Sequence, residues 1–568
     1  KDIAIAVSCA VTFSLFVSVT VVPMFSQKLL TASKGKKPFK SDLLEAIGNF
    51  LVRVPISILS LVIRNWKTRI LTVFSLIALS ILVAFLLFPK MEYLPQGNRN
   101  LVINLLVPPP GLSYEEREEI GHNLFRSLKP YFVKDHDGYP GIENMFYVGA
   151  ESIMLFGAIS AHEQRAAELV PLFMNTIQTI PGIFGVSQQA GIFQTRLGRG
   201  RTIEVDVSSE DLNRAVQAAG TMFGMIRQQI PAAQVRPVPS LELLYPEVRF
   251  IPQRDRIKAA GMNADDFGIA LDVLMDGRKI GEFKQEGEKK IDLVLKASER
   301  EIRTPEELYH ALIATPGGKV VPISSFSELE RTAGITEIRH LERRRTITLQ
   351  VTPPPAVPVQ EAMETIDQKV ITAIKDQGIE IRQSGVADKL TEARKALQWN
   401  FILAAAITFL IMAALFENFV YPLIIMITVP LGAAGGFIGL KLVSAFISPQ
   451  PFDILTMLGF VISIGIVVDN ATLIVYQALN NIRDYGMDYK EAVLDSTRTR
   501  LRPIAMTTST SVLGMLPLVL APGPGSELYR GLGSVVLGGI LFSTLFTVFV
   551  IPALLMFFIR MEKVRKVS

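Results

Sequence analysis

The feature that most constrains this chain is an apolar stretch near its C-terminal end, Leu455–Val475, which reads LTMLGFVISIGIVVDNATLIV. About twenty apolar residues suffice to cross the ~30 Å hydrocarbon core of a bilayer as an α-helix. Asp469 lies within this stretch, followed by Asn470. A carboxylate at that depth costs about 2.5–3.5 kcal/mol on insertion scales, so it normally faces the bundle interior beside a partner. The stretch therefore predicts a membrane helix with a proton or ion relay residue. The alternative is a structural acid, which is either kept neutral by burial or forms a hydrogen bond that holds two helices together.

Hydrophobicity is unevenly distributed along the 568 residues, of which 49% are hydrophobic, with a mean hydropathy of +0.35. Long apolar runs lie at both ends, and ordinary globular sequence lies between them. The net charge of +5 arises from Lys and Arg clusters beside the apolar runs, so a nucleic-acid partner is not needed to explain it. The composition predicts an integral membrane protein with a large water-soluble region.

Hydropathy predicts seven membrane spans. They cover approximately 3–25, 70–88, 399–416, 420–442, 455–475, 503–520 and 529–558. The segment 41–64 is amphipathic and contains Pro55, which predicts an interfacial helix instead of a span. Lys and Arg clusters follow the first, fifth and seventh spans, so these loops are expected in the cytoplasm and the region 90–398 on the opposite side.

The region from Lys90 to about Gln398 alternates predicted strands and helices. Strands are expected at 100–107, 183–189, 202–209, 247–253, 289–296, 319–324 and 344–353, and helices at 113–132, 166–180, 211–229, 265–275 and 359–377. Recurring strand–helix–strand units predict an α+β domain built from split βαβ, ferredoxin-like subdomains.

A polar run in the sixth span is the best candidate partner for Asp469. Thr507–Ser511 lie about 10–17 Å above Arg500, and Asp469 lies about 21 Å above Arg483, so the two sets share a depth. A hydroxyl of this run is therefore expected to reach the carboxyl group. The alternative is that each hydroxyl bonds a carbonyl of its own helix. Arg500 is most simply an interfacial, positive-inside residue.

A Gly-flanked apolar segment, GAESIMLFGAIS at 149–160, carries Met154, Leu155 and Phe156. These three residues form a candidate substrate path if the segment is an exposed loop. The alternative is a buried strand.

Several function classes lack sequence support. The single cysteine, Cys9, excludes a disulfide within the chain, and the five histidines show no metal-ligand spacing. The sequence contains no nucleophile elbow, P-loop or HExxH motif, so we expect no catalytic residue, no metal and no cofactor, and a transporter instead of an enzyme. Because Lys1 leads directly into an apolar span, we expect the chain to be part of a longer protein.

Several segments resemble efflux transporters of the RND (resistance-nodulation-division) superfamily, in the hydrophobe/amphiphile efflux branch. The segments MLGFVISIGIVVDNATLIV, RLRPIAMTTSTSVLGMLPLVL and GPGSELYRGLGSVVLGGILFSTLFTVFVIPALL resemble that family's last three membrane helices. VTFSLFVSVTVVPMFSQKLL resembles its sixth helix, FPKMEYLPQGNRNLVINLLVPPPGLS its seventh, and PEVRFIPQRDRIKAAGMNADDFGIAL the entry to its docking subdomain. The resemblance covers the whole chain and implies the C-terminal half of such a transporter, without the first five helices and the first half of the porter.

The resemblance also implies a proton relay at Asp469, Asn470, Arg500, Thr507 and Thr508. Arg500 and Thr507 match the family's arginine and threonine in the eleventh helix. Asp469 stands where many members have a lysine that pairs with aspartates of the fourth helix. An aspartate there would repel those acids unless it is protonated, which implies either a second titrating acid or a differently coupled pump. The Glu-containing motif of the metal-exporting branch is absent, so the resemblance does not favour copper or silver as substrate.

The resemblance further implies a division of the chain into seven parts. These are a membrane helix at 1–25, a cytoplasmic linker with an interfacial helix at 26–66, a membrane helix at 67–89, a periplasmic porter subdomain at 90–201, a second porter subdomain at 202–245 and 336–392, a docking subdomain at 246–335, and a membrane bundle at 393–568.

The implied function is export of hydrophobic or amphiphilic small molecules, driven by the proton-motive force, from a multi-pass protein of the inner membrane. The implied partners are membrane lipid, the N-terminal half, two further copies in a homotrimer, a periplasmic adaptor and an outer-membrane channel. Two alternatives stay open: a transporter of lipid or envelope components from the same superfamily, and a non-transporting half that serves as a scaffold. Whether the N-terminal half is a separate chain also stays open.

Overall fold

The computed structural model describes residues 2–32, 42–95, 99–109, 112–150, 154–191, 200–241, 245–275, 277–298, 302, 304–334, 337–374, 378–523 and 525–566. Within these residues, seven helices are long and apolar enough to cross a membrane. They occur at the seven positions that hydropathy predicts, and between the second and third of them lies a mixed α/β region.

The described part of the chain begins with three helices. They are α1 (Asp2–Ala32), α2 (Asp42–Arg64) and α3 (Trp66–Leu87). The helix α2 is the predicted amphipathic segment and is not among the seven candidate spans. Its Leu59 and Ile63 are fully buried and pack into the apolar cluster of the membrane bundle. Most of the predicted basic loop after α1 lies outside the described residues.

The first α/β subdomain follows the order βαββαβ. Its elements are β1 (Val102–Val107), α4 (Tyr114–Leu128), β2 (Ile142–Gly149), β3 (Met154–Ser160), α5 (Leu169–Gln178) and β4 (Phe184–Gln189). The strand order is β2-β3-β1-β4, and β1 is antiparallel to both β3 and β4. Ser113 begins α4 with a capping box, because its Oγ accepts from the Glu116 N–H (3.1 Å) and the Glu116 carboxylate accepts from the Ser113 N–H (2.8 Å).

The second α/β subdomain is split by an insertion. Its first part comprises β5 (Ile203–Ser209), α6 (Leu212–Gln229) and β6 (Gln234–Val238). The inserted subdomain comprises β7 (Tyr245–Pro252), α7 (Arg254–Ala259), α8 (Ala264–Met275), β8 (Arg278–Phe283), β9 (Ile291–Leu295), α9 (Pro305–His310), β10 (Leu312–Ala314), β11 (Val320–Pro322) and β12 (Ser327–Gly334). Its described residues form three separate two-stranded sheets, β7–β12, β8–β9 and β10–β11.

The chain then returns to complete the second subdomain. The returning elements are β13 (His340–Leu341), β14 (Arg344–Thr352), α10 (Val359–Thr365), α11 (Thr372–Ile374) and β15 (Glu380–Gly385). The five-stranded sheet has the order β13-β14-β5-β15, with β6 also paired to β14. The single helix predicted at 359–377 is interrupted by π-helical turns at Ile366–Ile371. Without β13, this subdomain has the same βαββαβ order as the first.

In the residues described from 386 onward there are six helices. They are α12 (Val386–Phe416), α13 (Val420–Met426), α14 (Thr428–Phe446), α15 (Ile454–Arg483), α16 (Tyr489–Leu520) and α17 (Ser526–Lys566). The helix α12 has 31 residues, or about 46 Å, which exceeds the thickness of a bilayer core. Its first turns are buried in the second subdomain, at Val386 and Leu390. The predicted third span is therefore the second half of a helix that begins outside the membrane region.

Glycines recur along α14 at the three- and four-residue spacing that lets helix backbones approach closely. A Cβ on Gly435 would lie 2.5 Å from the carbonyl oxygen of Gly538 on α17, and a Cβ on Gly439 would lie 2.4 Å from that of Ser534. A Cβ on Gly432 would lie 2.7 Å from a side-chain methyl group of Val467 on α15. These contacts hold α15 and α17 against α14, and they orient α15.

Candidate proton-relay site

The helix α15 begins at a buried N-cap. The Asp453 carboxylate accepts from the Thr456 N–H (2.8 Å), and the Thr456 hydroxyl accepts from the Asp453 N–H (2.7 Å). Asp453 is 3% exposed, and burial raises the pKa of its carboxyl group to about 6. Apolar residues, including Val467 and Ile474, then bury one side of α15. This packing sets which way Asp469 and Asn470 point.

Asn470 lies on the buried side of α15 in a polar cluster that joins three helices. Its Nδ2 donates to the Thr544 hydroxyl of α17 (2.9 Å), and the Thr544 and Thr508 hydroxyls are 3.1 Å apart. Asn470 and Thr508 are 7% and 9% exposed. Because a polar group in an apolar bundle needs a partner, this cluster fixes the relative rotation of α15, α16 and α17.

Asp469, the preceding residue, lies on an exposed side of α15. No hydrogen bond or ion pair joins its carboxylate to another residue in the described parts of the chain. Within the described residues this carboxylate accepts no hydrogen bond from the sixth span, and Asn470 takes the position that faces α16 and α17. The reason is geometric, since successive residues on a helix differ by about 100° and the interior position goes to Asn470.

Arg500 contacts α15 at Gln477, which is closer than Asp469 to the C-terminal end of that helix. Its Nη2 donates to the Gln477 Oε1 (2.5 Å), and the Gln477 amide donates to Asn481 Oδ1 (2.8 Å). Asn481 in turn donates to the Asp495 carboxylate (3.1 Å). The arginine is therefore about two helical turns from Asp469 along α15 and does not contact it.

The hydroxyls of the sixth span divide between the two predicted alternatives. Thr507 is exposed and donates to the Ile504 carbonyl oxygen (3.0 Å) of its own helix, and Thr510 donates likewise to Met506 (2.8 Å). Thr508 alone among the predicted relay hydroxyls bridges to another helix, at Thr544. Sequence reasoning missed Thr544 and Gln477. The one sequence signal that could have indicated them is that each is a polar residue within a long apolar helix.

The predicted substrate path requires a correction. Met154 and Phe156 are fully buried in strand β3, and the Phe156 ring packs edge-on to Phe173 at 5.4 Å. They belong to the core between the sheet and the helices α4 and α5. Leu155 alternates to the other face and is half-buried. The exposed-loop interpretation is wrong and the buried-strand alternative is confirmed for 154–160, while 151–153 lie outside the described residues.

Comparisons with known proteins identify the family. The profile of the AcrB/AcrD/AcrF family matches residues 1–559. The chain belongs to this family. It is therefore a member of the RND superfamily, as the sequence resemblance indicates.

Two similar relatives are multidrug resistance proteins MdtC. That of Erwinia amylovora is 29% identical over 56% of this chain and 30% of the relative. That of Klebsiella pneumoniae is 24% identical over 99% of this chain and 54% of the relative. The chain therefore spans about half the length of the second relative.

Solved structures agree on the fold. Two crystal forms of a heavy metal efflux pump superpose with TM-scores of 0.72 and 0.71 at 21% identity, over 90% and 91% of this chain and 53% of each pump chain. Identity at this level shows the fold alone. In the described parts of this chain, no three His, Cys, Asp or Glu residues are placed to hold a metal ion.

Proposed function

We propose that this chain is the C-terminal half of a proton-driven exporter of hydrophobic or amphiphilic small molecules. The observation that carries the proposal is the position of Asp469, the only acid of α15, on a face that no described residue covers. An unpaired carboxylate at membrane depth is costly, so this face requires a polar neighbour or water. We propose that the N-terminal half of the transporter supplies the polar neighbour of Asp469.

The proposed relay works by a change of charge at Asp469. The ionised carboxylate requires a polar or cationic partner in the other half, whereas the protonated form tolerates an apolar or acidic one. Protonation therefore changes which arrangement of the two halves is more stable. Asn470 and Thr508 keep α15, α16 and α17 together, so these helices move as one body.

The extramembrane region is proposed to be the porter. Two βαββαβ units with the strand orders β2-β3-β1-β4 and β6-β14-β5-β15 support the split βαβ, ferredoxin-like interpretation. We assign the porter subdomains to 90–201 and to 202–245 with 336–392, and the docking subdomain to 246–335. The positive-inside distribution supports a periplasmic position for them and an inner-membrane location for the bundle.

The inserted subdomain supports the proposed partners. Its hairpin β8–β9 exposes apolar side chains, including Ile280 (64%), Phe283 (51%), Ile291 (57%) and Val294 (53%). Apolar strands exposed on both faces are typical of a surface that another chain covers. This supports a homotrimer, and with it a periplasmic adaptor and an outer-membrane channel.

The test is Asp469→Asn in the full-length transporter, expressed in cells that lack their own efflux pumps. We expect normal expression and loss of ethidium export, because the amide cannot take up or release a proton. The matched control is Asp484→Asn, which removes the exposed carboxylate at the end of the same helix and should export normally.

Three outcomes separate the proposals. Wild-type export in Asp469→Asn refutes the relay. Export of a fluorescent phospholipid but not of ethidium by the wild type favours the lipid transporter of the same superfamily. Absence of both activities in the wild type, with normal complex assembly in Asp469→Asn, favours the scaffold.

A further inference from the structure

A non-covalent junction joins the membrane helices to the second α/β subdomain, in addition to the continuous helix α12. Residues 91–93, which follow α3, run alongside the start of α15. The Glu92 N–H donates to the Phe452 carbonyl oxygen (2.9 Å), and the Ile454 N–H donates to the Tyr93 carbonyl oxygen (3.4 Å). Main-chain hydrogen bonds therefore fix this segment to the N-terminal end of the helix that carries Asp469.

The same segment is fixed on its other side to α10 of the second subdomain. The Met91 N–H donates to Gln360 Oε1 (2.8 Å), and the Gln360 N–H donates back to the Met91 carbonyl oxygen (3.2 Å). The Glu92 carboxylate accepts from the Val359 N–H (3.1 Å). Residues 91–93 are thus bonded simultaneously to α15 and to α10.

A buried ion pair completes the junction. Arg201 donates through Nη2 and Nε to the two carboxylate oxygens of Glu92, at 3.0 and 3.2 Å. It also donates to the carbonyl oxygens of Val357 (2.7 Å), Pro353 and Pro354 (both 3.2 Å) in the loop before α10. Glu92 is 2% and Arg201 9% exposed. A bidentate ion pair fixes the relative orientation of its two side chains. Separating the two side chains is costly, because each charge would then be buried without compensation.

Aromatic side chains pack against one another around the start of α15. Phe88, Phe437, Phe452 and Phe460 pack with ring centroids 4.6–6.0 Å apart. They come from the end of α3, from α14 and from the start of α15. Because packed interiors transmit displacement instead of absorbing it, a shift of the α15 terminus must move residues 91–93 as well.

We propose that Glu92 and Arg201 are positioning residues that transmit movement of α15 to the second α/β subdomain during transport. The inference rests on the proposed function, in which protonation of Asp469 moves α15. Asp453 begins that helix and Asp469 lies 16 residues, or about 24 Å, further along it. An axial shift of α15 moves Phe452, then Glu92 through the main chain, and then Arg201 and α10 through the ion pair.

The test removes both charges together, with Glu92→Gln and Arg201→Met in the full-length transporter. Removing one partner would leave an uncompensated buried charge, whereas a neutral pair of similar volume is compatible with folding. The matched control is Lys90→Met with Glu364→Gln. It deletes an ion pair of 2.6 Å in the adjoining residues, whose side chains are 49% and 41% exposed.

The first readout is ethidium export in proteoliposomes with an imposed pH gradient. We expect the maximal rate of the double variant to fall by about tenfold or more, with the half-saturating ethidium concentration within about twofold of wild type. The Lys90/Glu364 control is expected to match wild type in both quantities. A purely structural role predicts loss of folded protein or a change in ethidium binding instead. Wild-type turnover in the folded double variant would overturn the proposal.

The second readout needs no substrate and separates this inference from the proposed function. Thr221→Cys on α6 is introduced into a background in which Cys9 and every other cysteine are replaced by serine. The rate at which a maleimide labels this single cysteine is then measured with and without a pH gradient. We expect a gradient-dependent rate in wild type and control, and a gradient-independent rate in the double variant. If wild type exports no ethidium but the labelling rates show the expected gradient dependence, the proposed substrate class is refuted and the coupling through Glu92 and Arg201 is supported. A gradient-independent rate in wild type would refute the coupling.

Discussion

The substitution Gly538→Ala tests how closely α17 and α14 approach. A Cβ at position 538 would lie 2.4 Å from the Gly435 carbonyl oxygen and 2.8 Å from the Gly439 Cα. Both are backbone atoms, so no side-chain rotation relieves the contact. Ordinary carbon contacts are about 3.5–4.0 Å, and the two helices must therefore separate by about 1 Å.

The expected magnitude combines two opposed effects. Overpacking of a tight interface costs about 1–3 kcal/mol, and a clash with backbone is expected at the upper end. Alanine gains about 0.8–1.0 kcal/mol over glycine in a helix. The net loss of stability expected for Gly538→Ala is therefore about 2 kcal/mol. At Gly514 of α16 no atom lies within 4 Å of the added Cβ, so Gly514→Ala keeps only the favourable effect.

The assay is reversible unfolding of this chain in mixed micelles, followed by circular dichroism. We expect the free energy of unfolding to fall for Gly538→Ala and to stay level or rise by up to about 1 kcal/mol for Gly514→Ala. Gly439→Ala serves as a repeat from the opposite helix, since its Cβ would lie 2.4 Å from the Ser534 carbonyl oxygen. Equal stability of Gly538→Ala and Gly514→Ala would refute backbone contact between α14 and α17.

Two further predictions concern pH and topology. Burial raises the pKa of Asp453 to about 6 from an ordinary 3.8, so its stabilising contribution is full below about pH 4 and is lost as pH rises through 6. Asp453→Asn keeps the N-cap and should remove that loss from a pH series of unfolding midpoints; an unchanged slope would contradict the assignment. In a Cys9→Ser background, Lys284→Cys should label only from the periplasm and Tyr485→Cys only from the cytoplasm, and the reverse pattern would overturn the proposed orientation.

Much of the architecture is encoded locally and can be predicted from the sequence. Hydropathy places the spans because a helix must keep apolar side chains in the hydrocarbon core for about twenty residues. The Ser113 and Glu116 pair begins α4 through contacts only three residues apart, and the small-residue spacing of α14 predicts its close packing. The predicted strands and helices between 90 and 398 follow from short-range periodicity in the same way.

The tertiary structure decides which way each helix faces and which distant residues meet. Asp469 and Asn470 are adjacent in sequence, yet the packing of α15 on α14 and α17 buries only Asn470. Similarly, an apolar segment at 154–160 is a buried strand because β1 and β2 pair with both of its edges. Glu92 and Arg201 are 109 residues apart, and no local pattern connects them. Periodicity determines an element and its apolar face, whereas helix rotation and long-range pairs follow from the mutual packing of all the elements.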